Sequence, residues 1–211
     1  MSRIAASLVA IVIIAVVCWL FPLFYVVPLK TATAEKTAAT FNATQFAENF
    51  WTNQLLVSLD KAVPAEKLLP AIQSDAAAAK KKFSRSVGLS ENYFYFLRGE
   101  GKIIFVSDDE ISLAITENST NAEIVLETGL VFGDAVRDGT GLLNANDYAN
   151  SQDFNDISAA LNHIVETRVL PKLREQAKVG AKISFVGCAE VDDEPTDLKP
   201  LKVIPIQTEI Q

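Results

Sequence analysis

The sequence holds little of what covalent or metal chemistry needs. It contains one histidine, His163, and two cysteines, Cys18 and Cys188. A lone histidine without a second ligand at metal spacing does not make a zinc site. Cys18 falls inside an apolar run, so no intramolecular disulfide framework exists, and Cys188 reads as a small buried apolar residue. No G-x-S-x-G elbow accompanies His163, which leaves a nucleophilic hydrolase without its parts. Asn162, His163 and Glu166 read as neighbours on one helix, with Asn162 and Glu166 at i and i+4. A Walker loop is absent, as is a G-x-G-x-x-G after a strand, so the usual nucleotide cradles are excluded. Gly99-Glu100-Gly101 reads instead as a hairpin turn. Positive charge is also in deficit: 19 Lys and Arg against 26 Asp and Glu give a formal net charge of −7. Such a surface repels a phosphate backbone, which argues against nucleic acid as a partner. No cofactor is expected, and no catalytic or metal-binding residue is assigned.

One absence is local and decisive. From Ile4 to Leu29, IAASLVAIVIIAVVCWLFPLFYVVPL, there is no charged residue. About 20 apolar residues suffice to span a bilayer core, so residues 4–29 are predicted to be the membrane contact. A secretory signal has a shorter apolar run followed by a small-x-small cleavage site, and Ala5-Ala6-Ser7 lies too early for one. A lipoprotein would attach its lipid at Cys18, but Ala15-Val16-Val17 lacks the expected small residue just before it, and apolar residues continue past it. The sequence therefore favours an uncleaved single-pass helix, with Trp19 and Tyr25 suited to the interface. Arg3 against Lys30 and Lys36 nearly balances the positive-inside count. The N-terminus is placed inside and the C-terminal domain in the periplasm, because large domains translocate largely regardless of charge.

The rest reads as an α+β protein. The expected division is an anchor over residues 1–29, a linker and helical segment over 30–90, and an OB-like β domain over 91–211. Thr31 to Thr40, TATAEKTAAT, fits either a linker or a continuing helix. From Asn42, with Thr44 as cap, Phe46, Phe50, Leu55 and Leu59 predict a helix ending near Ala62. Pro64 opens a second helix with the stripe Leu68, Leu69, Ile72, Ala76, Ala79. Lys80-Lys81-Lys82 suits its C-terminal dipole, or anionic lipid. Four strand-like runs follow: YFYFLRG, KIIFVS, EISLAIT and AEIVLET, separated by turns that include Ser107-Asp108-Asp109, and they predict an antiparallel meander. Residues 129–153 read as a long loop, which in a compact domain is functional or misassigned. A third helix is predicted over about 153–173, ending near Pro171. Strands over Lys182–Cys188 and Leu201–Ile210 close the chain. Strands, an inserted helix, then two strands fit a Greek-key barrel of the OB type; an open antiparallel sheet packed with three helices is the alternative.

The segment GLVFGDAVRD from Gly129, then NDYANSQDF from Asn146 and Ala160-Leu161-Asn162, resembles a bacterial family of unknown function labelled predicted periplasmic lipoproteins. The resemblance covers most of the chain, including FPLFYVVPL and the Gly180 to Ile206 tail. It implies an envelope compartment and, because members are often encoded beside sugar ABC transporters, a partner among transporter components or solute-binding proteins. Cys18 departs from a good lipidation sequence.

Candidate ligand- or partner-binding residues gather in the long loop: Asp134, Arg137, Asp138, Asn144, Asn146 and Gln152. An arginine held between carboxylates is either a structural clasp or a planar donor for a carboxylate or sugar hydroxyl. Asp108-Asp109-Glu110 and Asp192-Asp193-Glu194 lack the EF-hand pattern and read as solvated turns, while Asn144 to Asp156 places oxygens closely enough to be a calcium candidate. The expected function is a non-enzymatic membrane-anchored periplasmic accessory that binds a partner protein or small polar ligand. The alternative is a metal-dependent envelope hydrolase using acidic loop residues.

Overall fold

The architecture was obtained from a computed structural model, which describes residues 41–87, 91–117, 119–144, 147–148 and 151–211. The predicted membrane segment 4–29 and the stretch after it lie outside the described residues. Among the described residues no helix is long and apolar enough to cross a membrane.

Helix α1 (Ala43–Phe50) starts at Asn42, whose side chain accepts a hydrogen bond from the Gln45 N–H at 2.9 Å. Asn42, not Thr44, is thus the cap. Phe46 and Phe50 lie one turn apart with ring centroids 6.4 Å apart. The chain then widens into a π turn (Trp51–Leu55) and tightens into a 3₁₀ turn (Leu56–Lys61), burying Trp51 and Leu55. A two-residue strand, β1 (Val63–Pro64), leads into α2 (Ala65–Ser74), which buries Leu68, Leu69 and Ile72. The single second helix expected from the stripe is divided. Asp75 takes an extended conformation, and its carboxylate accepts the Ala78 N–H at 3.0 Å to start α3 (Ala76–Phe83). The carboxylate satisfies an orphan N–H of a new helix, so the chain restarts instead of continuing.

Two runs expected as separate strands are one: β2 (Tyr93–Val106) is 14 residues long and passes straight through Gly99-Glu100-Gly101. The predicted turn is absent because these glycines serve close approach. A Cβ at Gly99 would stand 2.8 Å from the Ala65 Cβ, and one at Gly101 would stand 2.8 Å from Ile115 Cδ1. The turn at Ser107–Asp109 forms as expected, with the Ser107 N–H donating to the Glu110 carbonyl at 2.9 Å. It leads to β3 (Glu110–Ala114) and β4 (Ile124–Glu127), antiparallel in sequence order.

The stretch expected as a featureless loop holds a one-turn helix, α4 (Ala135–Asp138), with every residue buried. Helix α5 (Ser151–Ile164) runs through a π turn (Val165–Val169) into α6 (Leu170–Gln176). Pro171 does not end the helical run. It occupies the first turn after the π segment, where its missing N–H costs little. Strand β5 (Lys182–Val191), the short α7 (Glu194–Asp197) and β6 (Leu201–Ile210) complete the chain.

Strand β6 pairs parallel to β4 and antiparallel to β5, and β5 pairs antiparallel to β2. The order β2-β3-β4-β6-β5 therefore returns to β2 and closes a barrel, with β1 appended alongside β2. Closure rules out the open sheet and leaves the barrel strands no free edge. Leu97, Ile103, Ile111, Leu113, Ile124, Leu126, Leu201 and Val203 are fully buried. Phe94 and Phe96, on the opposite face of β2, are buried as well, so the first half of this strand is covered on both sides.

Candidate functional site

Arg137 sits on the single turn of α4 and is 4% exposed. Its Nε and Nη2 donate to the two carboxylate oxygens of Asp138, each at 2.7 Å. Nη2 lies 3.1 Å from Asp134 Oδ2, and Nη1 donates to the Phe154 carbonyl at 3.2 Å. The guanidinium carbon stacks 3.7 Å from the centre of the Phe154 ring, a desolvated cation–π contact. Ser158 donates to Asp134 Oδ1 at 2.7 Å, and the Asn162 amide donates to the Gly133 carbonyl at 3.0 Å. The Asp134 N–H donates to Glu190 Oε2 at 3.2 Å, and Glu190 Oε1 accepts from Asn92 at 3.1 Å. One network thus ties the 129–138 segment to α5 and β5. A guanidinium this far inside, with each of its three nitrogens held by a protein acceptor, is a clasp in geometry.

The predicted loop constellation does not converge on one opening. Asp134, Arg137 and Asp138 come together, but Arg137 and Asp138 are interior. Asn144 is exposed, its carbonyl accepting the Asp147 N–H at 3.0 Å. Gln152 is on the exposed surface of α5 and donates to Asp156 at 2.7 Å. Asn146 lies outside the described residues. Among the described residues no three His, Cys, Asp or Glu side chains are grouped to hold a metal ion. Cys188 is fully buried under α4, and burial together with nearby Asp138 pushes its thiol well above the ordinary range. His163 is exposed on α5. In the acidic turn after β5, Asp197 accepts the N–H groups of Asp192 and Asp193 at 3.1 and 2.9 Å.

An open concavity of about 340 Å³ lies on the barrel wall instead. Strand register builds it. Arg98, Val186 and Gln207 form one cross-strand row on β2, β5 and β6, and Glu100, Ser184 and Glu209 form the next. Glu66, in the first turn of α2, borders one end. Arg98 is exposed and makes no ion pair with any described residue. A second concavity, of about 740 Å³, shares Glu66 and Glu100 and extends to Lys102, Lys182 and Thr116. Nothing in the linear sequence marks Arg98 or Gln207, because residues more than a hundred positions apart become neighbours only through barrel closure. The one signal in the sequence is the glycine at position 99, whose local pattern predicts a turn.

At one point on the outer barrel surface, Glu127 is largely desolvated, which raises its pKa. Lys202 pulls against that shift, while Asp197 and Glu190 add to it. At the start of β2 the buried Tyr93 donates to Oε1 of the exposed Glu194 at 3.0 Å, and Tyr95 packs edge-on against Tyr93 at 5.5 Å. Burial first, with Glu194 adding and Tyr93 opposing, pushes the Tyr95 hydroxyl up to about 12.

A closed Greek-key barrel of five strands, with helices inserted between its third and fourth strands and a polar concavity on its wall, defines an OB-fold domain. The structure is similar to the crystal structure of an OB-fold protein from Thermotoga maritima, with a TM-score of 0.73 and 26% sequence identity over 82% of this chain and 100% of that one. Residues 11–209 match the family described as predicted periplasmic lipoprotein (DUF2291), and the chain belongs to that family. Comparison with curated proteins gave no match.

Proposed function

We propose that this protein is a non-enzymatic, membrane-tethered periplasmic module that takes a small polar ligand into the cleft on its barrel wall and serves a solute-uptake system. The observation that supports this most is the uncommitted guanidinium of Arg98, set among Glu100, Ser184, Gln207 and Glu209. A guanidinium and an amide donate hydrogen bonds, and carboxylates accept them. A neutral, hydroxyl-rich ligand supplies both partners at once, whereas an anion meets three carboxylates. The concavity is within the size range of small-molecule sites. The family's implied proximity to sugar ABC transporters makes monosaccharides and short oligosaccharides the first probes.

The test is thermal melting of the soluble domain against a panel of such sugars at millimolar concentration, since a ligand selective for the folded state raises the melting temperature. A sugar that stabilises the wild type but not Arg98→Ala or Gln207→Ala, with both variants melting normally when free, supports the reading. A panel without effect removes it. Pull-down of the tagged membrane form is expected to enrich a transporter subunit or solute-binding protein.

Residues 4–29 are proposed to stay attached as an uncleaved anchor, with the N-terminus inside. The family description and the sequence agree on attachment to the envelope and differ over its chemistry. Intact mass of the membrane-extracted protein separates them, because cleavage before Cys18 with added acyl chains overturns the uncleaved helix. Protease digestion of spheroplasts tests orientation, and a protected C-terminal domain reverses it.

A further inference from the structure

Between β4 and α4 the chain leaves two large apolar side chains in water: Leu130 is 76% exposed and Phe132 75%, while Val131 between them is 7% exposed. This alternation sets Leu130 and Phe132 on one side of an extended segment. Their backbone is held in place. The N–H groups of Thr128 and Gly129 donate to the Asp109 carbonyl at 2.7 and 3.1 Å. Arg174, on α6, donates to the carbonyls of Thr128 and Gly129. The Val131 N–H donates to Glu166 Oε1 at 2.9 Å. Asn162 and Glu190 bind Gly133 and Asp134 at the far end. The strap is therefore anchored from the β2–β3 turn, from the α5–α6 helical run and from β5. A segment fixed in this way loses little conformational freedom when its apolar side chains are buried by a partner. Exposed apolar groups displayed on such a support mark an interaction surface.

Its borders are acidic. Asp108, Asp109 and Glu110 are exposed in the turn to which Gly129 is bonded, and Asp109 Oδ1 lies 2.8 Å from where a Gly129 Cβ would stand. At the other end Asp134 is 40% exposed. Arg174 and Glu166 are both occupied with the strap's own backbone. We infer that the Leu130–Phe132 strap is a docking site for a second protein that presents an apolar pocket bordered by lysine or arginine. Charge complementarity selects this occupant. Another copy of the chain would oppose acid to acid, and an anionic lipid surface would be repelled by the same border.

The test places p-benzoylphenylalanine at position 132 of the full-length chain in living cells and irradiates them. The expected product is one discrete adduct with a different protein, whose crosslinked peptide maps to an apolar surface with lysine or arginine beside it. Adduct yield is expected to fall at least tenfold in Leu130→Ser and in the charge-reversed Asp108→Lys/Asp109→Lys protein. Thermal melting of the three proteins is expected to match wild type, because all these side chains are solvent-exposed and Asp109 supports the strap through its carbonyl. Adducts with a second copy, with lipid or with residues 1–40 of the same chain overturn the inference. So do no adduct at all, and a foreign adduct indifferent to the reversed border.

Discussion

Arg137 and Asp138 are consecutive in sequence yet form a two-point pair, with both hydrogen bonds at 2.7 Å and both side chains nearly inaccessible to water. Adjacent residues on a long helix point apart. Pairing is reached here because the long Arg137 side chain curls back to present its Nε and Nη2 edge to the Asp138 carboxylate. Arg137→Ala strands the buried Asp138 carboxylate and is expected to cost about 3–5 kcal/mol of stability, the range for breaking a buried pair. Arg137→Lys is expected to recover little of it, since an ammonium cannot reproduce the fork or the stacking on Phe154. Urea unfolding followed by circular dichroism measures both. An unchanged midpoint for Arg137→Ala would return this residue to the list of ligand contacts.

Gly99 meets Ala65 across the junction of α2 and β2, with a Cβ at 99 placed 2.8 Å from the Ala65 Cβ. Gly99→Ala is expected to destabilise by about 1–3 kcal/mol through overpacking. Adding Ala65→Gly relieves the contact but introduces a helix-start glycine, so partial recovery is expected in a double-mutant cycle. Strict additivity of the two changes would show that position 99 is not limited by this approach.

Two glutamates near β4 are expected to respond to pH with opposite signs. Burial raises the Glu123 carboxyl, but hydrogen bonds from Thr116 and the Ile115 N–H outweigh it, so its folded pKa is below the ordinary 4.5. Its stabilisation is present above 4.5 and lost as pH falls through the lowered value. Glu123→Gln is thus expected to lose stability at pH 7, by about 0–1 kcal/mol for this largely solvated group, and to converge on wild type in acid. Glu127 is the reverse: its raised folded pKa means that ionisation opposes folding as pH rises past the ordinary range. Glu127→Gln is expected to melt higher than wild type at pH 7 and equally in acid. Melting curves from pH 3 to 8 check both signs.

Asp75 caps α3 through the Ala78 N–H at 3.0 Å. Asp75→Ala is expected to cost about 0.5–2 kcal/mol, and Asp75→Asn to retain most of that. Amide hydrogen exchange at Ala78 and Ala79 is the local readout, and unaltered protection in Asp75→Ala would deny the cap.

Much of the fold was legible because it depends on local pattern. Short runs of β-branched, aromatic and aliphatic residues within Tyr93–Val106, Glu110–Ala114, Ile124–Glu127, Lys182–Val191 and Leu201–Ile210 announce strands, and the placement of a helical run before the last two points to the OB arrangement. The turn at Ser107–Asp109 and the start of a helix after Asn42 follow from short-range hydrogen bonding, although the cap is Asn42 and not the expected Thr44. The same local reading failed at Gly99-Glu100-Gly101, where glycine is needed for the approach of Ala65 and Ile115 from distant parts of the chain. It failed at Pro171 because a π turn upstream makes room for the ring, and at Asp75 because one carboxylate competes with helix continuation.

The candidate sites divide in the same way. The sequence by itself determined that Asp134, Arg137 and Asp138 lie close together, since they are within one turn of one another, and that residues 4–29 carry no charge. It did not determine burial, which depends on Phe154, Ser158 and Asn162 arriving from α5. Nor could it place Arg98 in one cross-strand row with Gln207 or hold Leu130 and Phe132 on a strap anchored by Asp109, Glu166, Arg174 and Glu190. Those relationships are set by strand register and barrel closure, in which a shift of one residue would turn Arg98 from the wall cleft toward the core. Local preference acts over a few residues, whereas these sites are assembled from groups whose proximity is established only when the chain closes on itself.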